Sequence, residues 1–411
     1  MKKLLHISAH MGGGAGKAIS GILKGLEEYE NTLLLLEPTN DPKHINVCNE
    51  LNINIIISKD VKRIKEEALK ADAVILNWWC HPLFAEVFKA LDNENLKLLL
   101  WSHINGLYYP YLPFEFLEMF DRVMFTSSCI FENKYWSSDE IKAIKEKSEI
   151  VYGIGEFNPC LSKYKADYQL NDKFRIAYSG TLNFSKAHSK FPEICHRIKE
   201  IIPDTEFYMF GRYEKSFSEL FDNTYVKFYG FTNNLEEILP EMDAFCYPLN
   251  PENFATTENA LLEAMAAALP VIVLNNPAER NIVTNGKDGV IVADASDIAE
   301  NMKHIYQDIG LRKLLGSNAR KTVIERYDFK KNCENFKNCV EYVISGSSKI
   351  YDFSLSELTE PYKFFEFFCG TDWERVSSYL NGNKNVTLPE IFFGEGKSSF
   401  KHFNRYYHIF D

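Results

Sequence analysis

Residues 251–273 read PENFATTENALLEAMAAALPVIV, and the fold class is legible from this stretch outward. Thr256 and Thr257 close a polar loop, an alanine-rich run follows, and Leu269-Pro270 ends it just before Val271-Ile272-Val273. That order predicts a helix handing over directly to a buried strand, the repeating unit of an α/β domain. The threonines are expected to supply N-cap oxygens. The free amides of the first turn, Glu258 to Ala260, then form an anion site at the positive end of the helix dipole. Thr257, Asn259, Ala260 and Leu261 line that turn. Glu263 lies about one turn deeper, where a carboxylate accepts hydrogen bonds from sugar hydroxyls; the alternative is a helix glutamate facing solvent.

Outward from this stretch, short apolar runs alternate with amphipathic ones, as in a parallel sheet covered by helices. Expected strands in the first half are 3–8, 32–36, 53–57, 73–77, 96–101, 122–126 and 148–152, with helical patterns at 18–29 and 61–70. A second series covers 174–179, 206–210, 226–229, 244–247, 271–274 and 290–292. The polar stretch 155–173, which contains Pro159, reads as the link between them. The expected fold is α/β, with two facing doubly wound Rossmann-like domains over 1–158 and 170–330 and a helical extension over 331–411. Ligands of such sheets sit beyond the carboxyl ends of the strands, so the facing loops line a cleft. Helices are expected at 298–309, 311–326 and 331–344. The tail carries Phe364, Phe365, Phe367, Phe368, Trp373, Phe392, Phe393, Tyr406 and Tyr407. So many exposed rings would drive association, so the tail reads as a layer packed back on the first domain; a docking surface is the alternative.

A chain of 411 residues exceeds one ordinary core, and 45% hydrophobic with 25% charged residues excludes wholesale disorder. The net charge of −11 argues against nucleic acid as a partner. The nine cysteines form no Cys-x-x-Cys pair, which points to reduced core thiols and away from zinc or redox chemistry. His6, His10 and the glycines interrupt the N-terminal apolar run too early for a signal peptide, and no run approaches the ~20 apolar residues of a membrane span. A cytoplasmic protein is expected, with peripheral contact at the inner face of the membrane left open.

The first strand runs into Gly12-Gly13-Gly14-Ala15-Gly16-Lys17. Met11 and Ala18 break the Walker spacing, and Lys17 stands where a Rossmann fingerprint needs its third glycine. What survives is a turn, at Gly13 and Gly14, whose backbone can approach a ligand closely. His103 and, with less support, His81 fall at the carboxyl edges of expected strands, where a structural histidine is the competing reading.

Leu262-Glu263-Ala264-Met265-Ala266 with Leu269-Pro270-Val271-Ile272, followed by Asn285-Gly286-x-x-Gly289-Val290-Ile291-Val292, resembles the signature of the retaining glycosyltransferases of family 4, which have the GT-B fold. The resemblance implies transfer of a sugar from a nucleotide sugar, expected to be a UDP-sugar with GDP- and other nucleotides as alternatives. The acceptor is a glycan, lipid-linked or protein hydroxyl, and no metal and no cofactor are implied. It maps the ribose-gripping glutamate on Glu263 and the cleft histidine on His103. The diphosphate loop falls on Gly180 and Thr181 through Lys186. Two positions depart from the pattern: Ala255 stands for the first glutamate and Thr181 for the arginine. Glu252 or Glu258 is the expected substitute for the glutamate, and Arg212 is the candidate for the arginine, with a solvated loop cation as the competing reading. The catalytic set is thus His103, Lys186 and Glu258, and a catalytically inactive binding or partner subunit is the alternative.

Overall fold

The computed structural model describes residues 1–155, 158–383, 385–392 and 399–410. In the first half the strands are β1 (Lys3–Ser8), β2 (Glu30–Leu35), β3 (Asn54–Ile57), β4 (Ala73–Trp78), β5 (Asn95–Leu96), β6 (Leu98–Ser102), β7 (Arg122–Phe125) and β8 (Ser148–Ile150). The second half adds β9 (Phe174–Ser179), β10 (Thr205–Phe210), β11 (Val226–Gly230), β12 (Ala244–Tyr247), β13 (Val271–Leu274) and β14 (Val290–Val292). They build a seven-stranded sheet in the order β3-β2-β1-β4-β6-β7-β8 and a six-stranded sheet in the order β11-β10-β9-β12-β13-β14. All pairings within both sheets are parallel. The central strands β4 and β6 are buried along their whole length, which is why they read as continuous apolar runs.

Expected strands differ from observed ones by one or two residues at their ends. The first helix differs more. It runs Gly13–Lys24, where the periodicity suggested 18–29. Gly13, at φ +63°, lets the chain enter the helix within the glycine run, and Gly25 ends it by returning its amide to Ile22. The expected link at 155–173 is only partly a solvated connector, and Glu156 and Phe157 lie outside the described residues. Lys165 is buried in an ion pair with Asp243 at 3.1 Å, and the Tyr168 hydroxyl donates to the Ala268 carbonyl.

After the second domain the chain returns to the first. Helix Phe329–Ser345 lays Cys333, Phe336, Val340 and Val343 on one face of the first sheet. The aromatic extension covers the other face: Phe353, Phe364, Phe365, Phe368, Phe392 and Phe403 pack with Trp78, Phe88 and Phe116. A last strand, β15 (Lys349–Ile350), pairs antiparallel with β5 and anchors its start. Phe393 lies outside the described residues. All nine cysteines are buried thiols.

Candidate functional site

The carboxyl ends of β9 and β10 set the floor of the cleft on the second domain. Gly211, at φ +121°, packs so close to Gly180 that a Cβ there would stand 1.9 Å from the Gly180 carbonyl oxygen, so only glycine fits. This approach puts Arg212 beside Thr181; the Leu182 amide donates to the Arg212 carbonyl at 2.8 Å. The Arg212 side chain itself is exposed. Asn250 braces the loop between them from the side, its amide group donating to Phe184 and its backbone N–H to the Lys186 carbonyl. Lys186 is thereby aimed inward.

Its ammonium lies 2.7 Å from both carboxylate oxygens of Glu258, the residue that precedes helix Asn259–Ala266. The Tyr247 hydroxyl, at the end of β12, donates to the same carboxylate at 2.7 Å. Burial holds the Tyr247 phenol protonated. Glu258 is only 4% exposed. Behind it, Glu279 is buried and receives the Asn276 amide at 2.8 Å. Burial, and then the charge of Glu258, push its carboxyl up to about 8, so Glu279 carries a proton at neutral pH. Asn276 also lines a cavity of about 360 Å³, with Tyr108 from the first domain and His188, Asn275, Arg280 and Asp294 from the second.

The threonine caps do not form. Glu258 is the N-cap and makes no side-chain cap bond, so the first amides of the helix are left without that partner. Thr256 and Thr257 instead reach across to the first domain: Thr256 Oγ1 lies 2.6 Å from Thr126 Oγ1, and the Thr257 hydroxyl donates to the Thr126 carbonyl. Asn105 donates to the Asn253 and Ala255 carbonyls at 2.7 and 2.9 Å. Asn259 donates to Gly153 at 2.8 Å, while its Oδ1 is buried with no partner among the described residues. A Cβ on Gly14 would lie 4.0 Å from the Asn259 amide nitrogen, so the glycine turn and this helix start face each other. Glu263 does not face solvent. It pairs with Lys17 of the first domain at 2.5 Å. Glu252 is exposed and Glu258 buried, so of the two expected substitutes only Glu258 lies within the cluster.

On the first domain, His103 follows β6 and packs its ring against Trp101, 4.6 Å between centroids. Burial lowers its pKa to about 3, so the imidazole is neutral, and its Nε2 is buried without a partner among the described residues. Half-buried Trp79 stands between His103 and His10. His10, Glu37 and His81 bring their ligand atoms within 4.8 Å of one another. Nδ1 of His10 and Nδ1 of His81 each accept a backbone N–H, from Gly12 and Leu83. In a metal centre the second ring nitrogen normally donates, so this set reads as a hydrogen-bond network. Burial raises the Glu37 pKa, but bonds from His81 and Tyr406 outweigh it and hold the carboxyl at about 2. His402 and Tyr406, from the aromatic extension, complete this corner.

Residues 173–308 match the family described as glycosyl transferases group 1. The crystal structure of Anabaena HepE in complex with UDP superposes with a TM-score of 0.65 at 15% identity, over 83% of this chain and 100% of that one. Two facing parallel-sheet domains with that superposition settle the architecture. The fold is GT-B. Two bacterial proteins align with part of the chain. EpsD of Bacillus subtilis is 27% identical over 161 residues, 37% of this chain and 42% of EpsD. The capsular polysaccharide biosynthesis glycosyltransferase CapM of Staphylococcus aureus is 28% identical over 205 residues, 44% of this chain and 52% of CapM. The chain thus spans about half the length of the curated relatives it matches.

Within the GT-B cleft, Lys186, Glu258, Asn259, Ala260 and Leu261 come together at one helix start, with Gly13 and Gly14 opposite. Sequence reasoning missed Tyr247, Glu279 and Asn105. Tyr247 and Asn105 each stand just at or beyond the carboxyl end of a strand, β12 and β6, which is a usable signal. Glu279 sits in the short helix after β13 and carries no such mark.

Proposed function

We propose that the protein transfers a sugar from a UDP-sugar to a hydroxyl of a glycan, lipid-linked or protein acceptor in polysaccharide synthesis, with retention of anomeric configuration and without a metal ion. The observation that carries the reading is the Lys186 ammonium beside the uncapped start of helix Asn259–Ala266, in the cleft between the domains. A diphosphate there meets a cation and several free amides together.

On this reading the bond from sugar C1 to the diphosphate oxygen breaks and its electron pair stays on that oxygen, where Lys186 and the amides of Asn259 to Leu261 offset the charge. The acceptor hydroxyl attacks C1 from the same face and its proton passes to the leaving oxygen, so no protein nucleophile is required. Neutral His103 offers its Nε2, unpartnered among the described residues, to the donor sugar. Glu263 receives the ribose, Gly13 and Gly14 allow close approach, and Gly180, Thr181 and Arg212 form the other flank. As the diphosphate takes the ammonium, Tyr247 keeps a hydrogen bond on Glu258. No helix among the described residues is long and apolar enough to cross a membrane. Our reading places the reaction in the cytoplasm, with peripheral contact at the inner face of the membrane for lipid-linked acceptors.

Purified protein is expected to show a raised unfolding midpoint with UDP, since a ligand of the folded state stabilises it. UDP-sugar turnover is expected to persist in EDTA, and the product anomer seen by NMR to match the donor. No midpoint shift with UDP, GDP or ADP refutes the reading. Ala255, in place of the first glutamate, favours one second reading: a binding-only relative. That protein binds UDP yet neither hydrolyses nor transfers from any UDP-sugar.

A further inference from the structure

Lys17 entered the sequence reading only as the residue that stands where a Rossmann fingerprint needs its third glycine. In the fold it sits on helix Gly13–Lys24 of the first domain and sends its ammonium across the cleft to Glu263 Oε1 at 2.5 Å. Three observations set this pair apart from a surface ion pair. The side chains are only 23% and 21% exposed. The aliphatic stem of Lys17 runs along Gly155, where a Cβ would come within 3.4 Å of Lys17 Cγ and Cε, so the path of the side chain is fixed by the segment joining the domains. Glu263 lies one helical turn after Asn259, on the same face, and Asn259 is itself bonded to the Gly153 carbonyl. The whole face of this helix is therefore docked on the first domain at two levels.

We propose that Lys17 is a positioning residue for the nucleotide: it holds Glu263 Oε1 across the cleft and leaves Oε2 for the ribose hydroxyls, so ribose recognition requires the two domains together. This rests on the reading of Glu263 as the ribose-binding carboxylate. A carboxylate has two acceptor oxygens with about four lone-pair sites, so holding one oxygen fixes the plane of the other without consuming it. Free to rotate, the same carboxylate would have to be ordered by the ligand, at a cost in affinity.

Calorimetry with UDP and UMP tests this. Lys17→Met is expected to weaken both nucleotides on the order of ten-fold, because the ribose is common to both and the lost contact is a charge-assisted one. Lys17→Arg, which keeps the charge, restores most of the affinity. Glu263→Gln loses a similar factor, and the Lys17→Met/Glu263→Gln double variant loses little more than either alone. The proposal is overturned if Lys17→Met binds UDP like the wild type, if only UDP and not UMP is weakened, or if the two losses add. Absence of UDP binding by the wild type overturns the transferase reading itself, whereas wild-type binding with Lys17→Met unaffected overturns the positioning role alone.

Discussion

At Lys186, the ammonium pairs with the buried Glu258 carboxylate, and on the proposed reading a diphosphate takes that ammonium over. Lys186→Ala is expected to lower turnover by roughly 2 to 4 kcal/mol of transition-state stabilisation, the range for removing one preorganised electrostatic group. Steady-state kinetics check it, and an unchanged rate removes Lys186 from the mechanism. Behind this pair, Glu279 makes a prediction of opposite character. Burial and the Glu258 charge raise its pKa from 4.5 in the unfolded chain to about 8. Between those values the unfolded chain has released the proton and the folded chain has kept it. Stability from this group is therefore full below about pH 4.5 and falls as pH rises toward about 8, by at most ~1.4 kcal/mol per pH unit. Denaturant titrations of wild type and Glu279→Gln across pH 5 to 8 should differ in slope by that sign; parallel curves would show an ionised Glu279. Lys186 and Glu263 were legible as candidate site residues because they sit in motifs, and motifs are local. Lys17 was not, since its partner lies 246 residues away and no short-range pattern encodes it.

The loop and helix from Asn253 to Ala266 show the same division at the level of an element. Its helix and following strand were legible from alanine content and the Leu269-Pro270 stop, because propensity and chain breaking are properties of neighbours. Its capping was misread. Thr256 and Thr257 have cap chemistry, but their hydroxyls found Thr126, 130 and 131 residues away, and a tertiary hydrogen bond displaced the local one. The proposed anion site depends on this, because a capped helix start has fewer amides to offer an anion. Asn105 holds the preceding loop through two carbonyls, and Asn105→Ala is expected to free it, at ~1–3 kcal/mol for a partly buried pair of bonds. Hydrogen exchange at residues 253–257 should quicken on the order of ten-fold or more in that variant. Exchange equal to wild type would mean that Thr126 and Asn259 suffice to clasp the loop.

Across the whole molecule, both domains and the cleft follow from alternation in the sequence, and the aromatic content of the extension points to a layer packed back on the first domain, whereas the partners of its rings follow only from the contacts of the fold. Phe368 packs with Trp78 at 4.8 Å and Phe116 at 5.0 Å between centroids and is fully buried, so the extension is part of the first domain's core. Phe368→Ala is expected to destabilise that domain by about 3–5 kcal/mol, the usual cost of deleting a buried ring. Calorimetric unfolding would register it, and a change within error would mean that the extension is a detachable layer. The same extension brings His402 and Tyr406 to the first domain's edge of the cleft, while Lys17, Asn105 and Thr126 tie that domain to the helix start opposite. The proposed site is therefore one volume shared by both domains. A crystal structure of the protein with UDP tests it most directly: the diphosphate should lie within hydrogen-bond reach of Lys186 Nζ and of the amides of Asn259 to Leu261, with the ribose on Glu263. A nucleotide seated elsewhere, or a diphosphate that leaves Lys186 on Glu258 and the helix start unoccupied, would contradict it.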